Sequence, residues 1–202
     1  MRIKVDVDFD KDFLKDITNE IGKLNDRAVE VGVFDGEMQW LAAIHEYGCH
    51  IEAKKAQYLT VPVHPAAKGK RAADFNDLFF YEAKSGEKFL ARKKGKKGIE
   101  IIYWLTKSVN IPERSFLRSG FDDCIDDIMK ISEKMLDMVA SGKMSADQYL
   151  DMIGQQLSSK IKTFARDLSD PPNSPITQNV KGSSNPLVDT GQMINSITWR
   201  KQ

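Results

Sequence analysis

The sequence predicts an α+β fold, with a mixed sheet built from both chain ends and helices packed against it, and three observations carry that prediction. Apolar residues alternate with polar ones at both termini, as Ile3, Val5, Val7 and Phe9 at the start and Ile197 and Trp199 at the end. Helical periodicity takes over after Pro112 for roughly fifty residues and predicts an αα-hairpin. Between about 58 and 107 lie four short runs rich in β-branched and aromatic residues, read as a β-rich insertion.

The elements follow in order. Ile3 to Phe9 predict a half-buried strand, and from Asp10 the spacing of Phe13, Leu14, Ile17, Ile21 and Leu24 predicts a helix of about fifteen residues capped by Asp10. Ala28 to Phe34 predict a second strand, ended by the turn dipeptide Asp35-Gly36. Trp40, Leu41, Ile44 and Tyr47 fall on one face of a short helix that Gly48 stops. The insertion's strands are expected at 59–63, 78–81, 89–91 and 99–105, with a tight turn at Ser85-Gly86. The run Arg92 to Gly98, carrying Lys93, Lys94, Lys96 and Lys97, cannot pack a core and is expected as an exposed loop.

Ile111 to Gly120 is the junction where the period changes. Pro112 holds Ile111 in extended geometry and ends the strand near Asn110. Phe116 and Leu117 are expected to pin the next helix to the sheet, with Arg114 and Arg118 in solvent. That helix runs to about Ala140 with Phe121, Cys124, Ile125, Ile128, Ile131, Met135 and Met138 in one stripe, and Met129, Met135 and Met138 read as core filler. Gly142 breaks it. Ser145 and Gln148 form a capping box that starts its partner, whose inward face is Tyr149, Ile153, Leu157, Ile161, Phe164 and Leu168. Residues 170–189, rich in Pro, Ser and Asn, have no periodicity and are expected to be mobile until a neighbour orders them. Asp189 is then expected to cap a helical turn with Gln192, before the closing strand.

Composition narrows the function. The chain has 202 residues, 41% of them hydrophobic, and reads as one domain over 1–202 with its insertion. Thirty basic and 29 acidic residues supply no global field for nucleic acid. Cys49 and Cys124 fall in segments of different type, and no signal peptide or membrane-length apolar run is present, which points to free thiols in a cytosolic setting.

Four short motifs are Val31-Gly32-Val33-Phe34-Asp35-Gly36, Ala43-Ile44-His45-Glu46-Tyr47-Gly48, the junction from Ile111 to Gly120, and Asn185-Pro186-Leu187-Val188-Asp189-Thr190-Gly191. In that order, closing on Ser196-Ile197-Thr198-Trp199, they resemble the virion morphogenesis proteins of long-tailed bacteriophages, the tail-completion and head–tail joining group. The resemblance implies a structural virion protein, not an enzyme, with no cofactor, assembled in the host cytoplasm as a ring, commonly a hexamer. Its partners are copies of itself and neighbouring tail or connector proteins, with no membrane, and DNA passing nearby without specific binding. Candidate interaction residues are Arg114, Arg118, Asp189, Thr190, Lys93, Lys94, Lys96 and Lys97. In this reading His45 hydrogen-bonds the turn backbone.

The residues also admit two chemical alternatives. His45, Cys49 and His50 are zinc-ligand types close together, but a fourth ligand must come from His64 or Cys124, and no finger spacing is present. Asp189-Thr190-Gly191 has the form of an aspartic-protease triplet, without a second copy in the chain. No nucleophile elbow or phosphate loop accompanies them. The alternative function is a small metal-dependent or nucleic-acid-modifying enzyme, and a third is a DNA-packaging accessory.

Overall fold

The computed structural model describes residues 11–95 and 98–202. The strand expected over Ile3–Phe9, the Asp10 cap, Lys96 and Lys97 lie outside the described residues. The architecture is α+β. Helix α1 (Lys11–Gly22) is followed by strand β1 (Val29–Val33), which pairs antiparallel with the last strand, β8 (Ile197–Lys201), in the register Val31↔Trp199 and Val33↔Ile197. Val33 and Ile197 face inward and are buried, so the alternation legible at the C-terminus is the alternation the core uses.

Helix α2 (Gly36–Tyr47) lies across this pair. Its inward stripe is Met38, Leu41, Ala42 and Glu46, whereas Trp40 and Tyr47 are 68% and 66% exposed. The expected face of Trp40, Leu41, Ile44 and Tyr47 is therefore corrected. The large aromatics face outward because the buried stripe is built on a small residue, Ala42, and a carboxylate, Glu46. Gly48 ends α2 with a φ of 70°, and a Cβ there would stand 2.9 Å from the Ile111 carbonyl oxygen. Only glycine lets the two motifs approach so closely.

The chain then forms β2 (Cys49–Glu52), which pairs antiparallel with β7 (Ser108–Ile111) in a ribbon from which the insertion leaves and to which it returns. The insertion is a four-stranded antiparallel sheet of β3 (Leu59–Pro62), β4 (Phe79–Glu82), β5 (Lys88–Lys94) and β6 (Gly98–Thr106), in the order β3-β6-β5-β4. It has its own small core of Ala67, Ile102 and Tyr103, roofed by Ala72, Phe75 and Leu78 from the segment between β3 and β4. The basic run differs from its expected form, since Arg92, Lys93 and Lys94 are part of β5. Glu100 on β6 stands opposite Arg92 and accepts from Arg92 and Lys94, so an acidic partner extends the ladder into the lysines.

After the junction come α3 (Arg118–Ala140) and α4 (Ala146–Asp167), the expected helical hairpin. The capping box forms, with Ser145 Oγ accepting from the Gln148 N–H and Gln148 Oε1 accepting from the Ser145 N–H. Cys124 and Ile128 of α3 meet Leu157, Ile161 and Ala165 of α4 in the main core, with Phe116 fully buried beneath them. Met135 belongs to a smaller cluster at the hairpin's turn, but Met129, Met138 and Phe121 are exposed and do not fill the core. Gly154 on α4 is where the Trp199 ring lies, since a Cβ there would meet the indole at 2.5 Å. Among the described residues no helix is long and apolar enough to cross a membrane.

The segment 170–189 is built, contrary to the structureless loop expected. It contains α5 (Pro175–Lys181), with Ser174 Oγ accepting from the Thr177 N–H, Pro175 at the first helical position and Gly182 left-handed after the end. These are standard start and stop signals on a helix too short to show a period. A final turn, α6 (Gln192–Asn195), leads into β8.

Candidate functional site

The junction is organised by a residue that carried no role in the sequence reading. Glu46, the last buried position of α2, is 3% exposed, and its carboxylate accepts from the Ser115 hydroxyl, the backbone N–H groups of Leu117 and Arg118, and the Arg118 guanidinium at 2.9 Å. It caps the N-terminus of α3 from another element, where free N–H groups and the helix dipole favour an anion. Burial pushes its carboxyl pKa up, but these donors together outweigh burial and hold it below the ordinary carboxylate value. A signal was available, for Glu46 falls one turn after Ala42 on an otherwise apolar stripe, and a charge there demands a partner.

Arg114 and Arg118 have separate fates. Arg114 is 5% exposed, so its expected solvent position is corrected. Its backbone N–H donates to the His45 carbonyl at 2.7 Å, and its guanidinium donates to the carbonyls of Pro171 at 2.8 Å and Pro172 at 3.1 Å. Pro171 and Pro172 offer carbonyl acceptors and no N–H, and a forked guanidinium can serve two such acceptors at once. Arg118 is half exposed. It pairs with Glu46 and Glu113 and lays its guanidinium 4.7 Å from the Tyr47 ring centre.

His45 lines a cavity of about 420 Å³ between α2 and the chain from Asn173 to Met193. Its carbonyl, not its ring, bonds the junction backbone, and its Nδ1 is buried with no hydrogen-bond partner among the described residues. Burial, with the charges of Arg114 and Lys181 nearby, lowers its pKa to about 4 and keeps it neutral. Asp189 and Thr190 line the same cavity, so the fourth motif comes together with the second there, as the third does at Glu46. Asp189 does not cap α6. It pairs with Lys68 of the insertion at 2.6 Å, leaving Gly191, with a φ of 79°, at the cap position. Thr190 Oγ1 accepts a long bond of 3.4 Å from the Gln192 N–H.

Asn185 is the other polar centre that sequence reading missed. Its Oδ1 accepts from the N–H groups of Leu187 and Val188, its amide donates to the Arg166 carbonyl, and its own carbonyl takes Asn173 and Lys181. Asn before Pro is a turn signal whose value appears only when the distant partners are known.

The zinc-type residues are dispersed by the fold. Cys124 is in the main core, His50 is on β2 beside Glu52, and His64 caps a turn in the insertion and faces Glu100 at 3.4 Å. Among the described residues no group of three or more His, Cys, Asp or Glu side chains is placed to hold a metal. Lys93 is exposed, and Lys94 is exposed beside Glu100, far along the insertion from the junction.

One surface remains beside this framework. Trp40 and Tyr47, seven residues apart on α2, share its outer face, with Arg118 over Tyr47 and Glu113 adjoining. Compared with known proteins, the chain matches no family model, no curated protein and no solved structure.

Proposed function

We propose that the chain is a structural virion protein of a long-tailed bacteriophage, acting in tail completion or head–tail joining and assembling as a ring through protein–protein contacts. The observation that carries this reading is the outer face of α2, where Trp40, Tyr47 and Arg118 stand exposed beside the Glu46-capped junction. Tryptophan, tyrosine and arginine are the types that dominate binding energy at protein interfaces. Large exposed aromatics cost solubility and are commonly repaid by a partner. The chemistry of the motifs points the same way, since Glu46, Arg114 and Asn185 are spent on backbone groups that hold segments together. Assembly takes place in the host cytoplasm and the finished protein resides in the virion, beside other tail or connector proteins.

Complementation tests this. A phage lacking the gene is expected to yield unjoined heads and tails or unfinished tails, rescued by the wild-type chain. A Trp40→Ala, Tyr47→Ala double variant is expected to fold and to fail in rescue. Normal particles without the protein would refute the proposal.

A further inference from the structure

The fold withdraws two cations from water around His45 and gives neither a carboxylate. Arg114 is 5% exposed, and its guanidinium donates to the carbonyls of Pro171 and Pro172. Lys181, half-buried on α5, donates to the carbonyls of Asn185 at 3.0 Å and Pro186 at 3.1 Å. Among the described residues neither has an ion-pair partner, and each keeps an N–H uncommitted. The half-buried cations Arg92 and Lys160, by contrast, are paired with Glu100 and Asp127. Burial lowers the pKa of both Arg114 and Lys181, the mark of charges held out of water without an anion to offset the cost.

His45 stands between two hollows. One is the cavity of about 420 Å³, which Lys181 lines, and the other is a groove of about 760 Å³, which Arg114 lines. Among the described residues Asp189 is the one carboxylate lining either, and it already faces Lys68 at 2.6 Å. The neighbourhood therefore holds three cations, Arg114, Lys181 and Lys68, to one anion. The walls narrow the class of anion that would complete it. The cavity is floored by Met38, Leu41, Leu187 and Met193, with Thr190 and Gln192 at an exposed rim. A phosphate would lose strongly held water over such a floor, whereas a carboxylate on an apolar body pairs at its head and buries its tail.

We propose that the cavity at His45 binds a carboxylate borne on an apolar body, its head at Lys181 and His45 in the field of Arg114 and its tail on Met38, Leu41, Leu187 and Met193. Such a group exists as a free small carboxylate and as the C-terminus of a peptide that ends in an apolar residue. The site lies on the inner side of α2, away from Trp40 and Tyr47, and does not depend on the virion reading.

Nuclear magnetic resonance of the full chain tests it, because the chain has three histidines and the ring signals of each can be followed. At about pH 6, hexanoate is expected to move the His45 signals toward those of the imidazolium and to leave His50 and His64 unmoved. A carboxylate beside the ring favours its charged form against Arg114, Lys181 and Lys68, with Asp189 already paired. Acetylated Val-Val-Leu with a free C-terminus is the second probe, and its C-terminal amide is expected to have no effect. A tighter response to hexanoate assigns a free carboxylate to the site, and a tighter response to the peptide assigns a chain end. Lys181→Gln is expected to weaken both roughly tenfold or more. The proposal is overturned by a His45 that answers neither carboxylate, or that answers hexylammonium or inorganic phosphate equally well. It is overturned too by a folded Lys181→Gln chain that binds as the wild type does. Should that variant not fold, the His45 signals of the wild-type chain decide the matter by themselves.

Discussion

Arg114→Ala is expected to destabilise the protein and release the segment that follows α4. The side chain is 5% exposed and donates from Nε to the Pro171 carbonyl and from Nη2 to that of Pro172. A hydrogen bond to a charged donor contributes about 1.5–3 kcal/mol, so two contribute about 3–6 kcal/mol. Removing the guanidinium also removes its desolvation cost, seen in the lowering of its pKa by burial, which brings the expected loss to about 2–4 kcal/mol. At about 2–4 °C per kcal/mol for a chain of this size, the melting temperature falls by roughly 5–15 °C. Arg114→Lys restores one donor without the fork and is expected to fall between. Thermal unfolding gives the magnitude, and hydrogen exchange gives the location, with amides of α5 losing protection before those of α3. Melting within about 1 °C of wild type, with unchanged exchange in α5, would refute the account of this side chain.

Glu46→Ala strands two helix-start N–H groups and the Ser115 hydroxyl, so a loss of about 3–5 kcal/mol is expected by chemical denaturation, while Arg118→Ala, whose partner keeps its other donors, is expected to lose about 1 kcal/mol or less. Stability should also fall with acidity, because His45 has a folded pKa of about 4, below the ordinary 6.5. The folded state binds that proton less readily, so its contribution is whole above about pH 6.5 and is lost between there and pH 4, about 3 kcal/mol in all, and His45→Asn should flatten this part of the profile. Gly154→Ala places a Cβ 2.5 Å from the Trp199 indole and is expected to cost about 1–3 kcal/mol, with a shift in the fluorescence of a tryptophan that the wild type holds fixed.

Much of the fold was legible because period survives in a single sequence. The helical hairpin, its capping box, the closing strand and the insertion's strands all show as repeats of apolar residues or as local caps. The failures share a cause. The sequence points to the wrong face of α2 because Trp40 and Tyr47 are larger than Ala42, and size is no guide when the core neighbour is a capping carboxylate. Arg114 reads as a solvent residue because its partners are carbonyls of Pro171 and Pro172, nearly sixty residues on, and backbone acceptors leave no mark in sequence. Asp189 looks like a local cap because Asp commonly is one, but Lys68, 121 residues away, takes it. Short helix α5 had its Ser-Pro start and its glycine stop in plain view, yet seven residues are too few for a stripe. At the candidate site the motifs were visible and their meeting was not, since Glu46, His45, Arg114 and Asn185 act across the fold.

Electron microscopy of particles from a phage that encodes this chain tests the structural reading most directly. The expected result is a closed ring of copies at the tail end or the neck, with the α2 face bearing Trp40 and Tyr47 buried against an adjoining protein. Particles whose neck and tail end are fully accounted for by other proteins, with this chain found only free in the lysate, would contradict it.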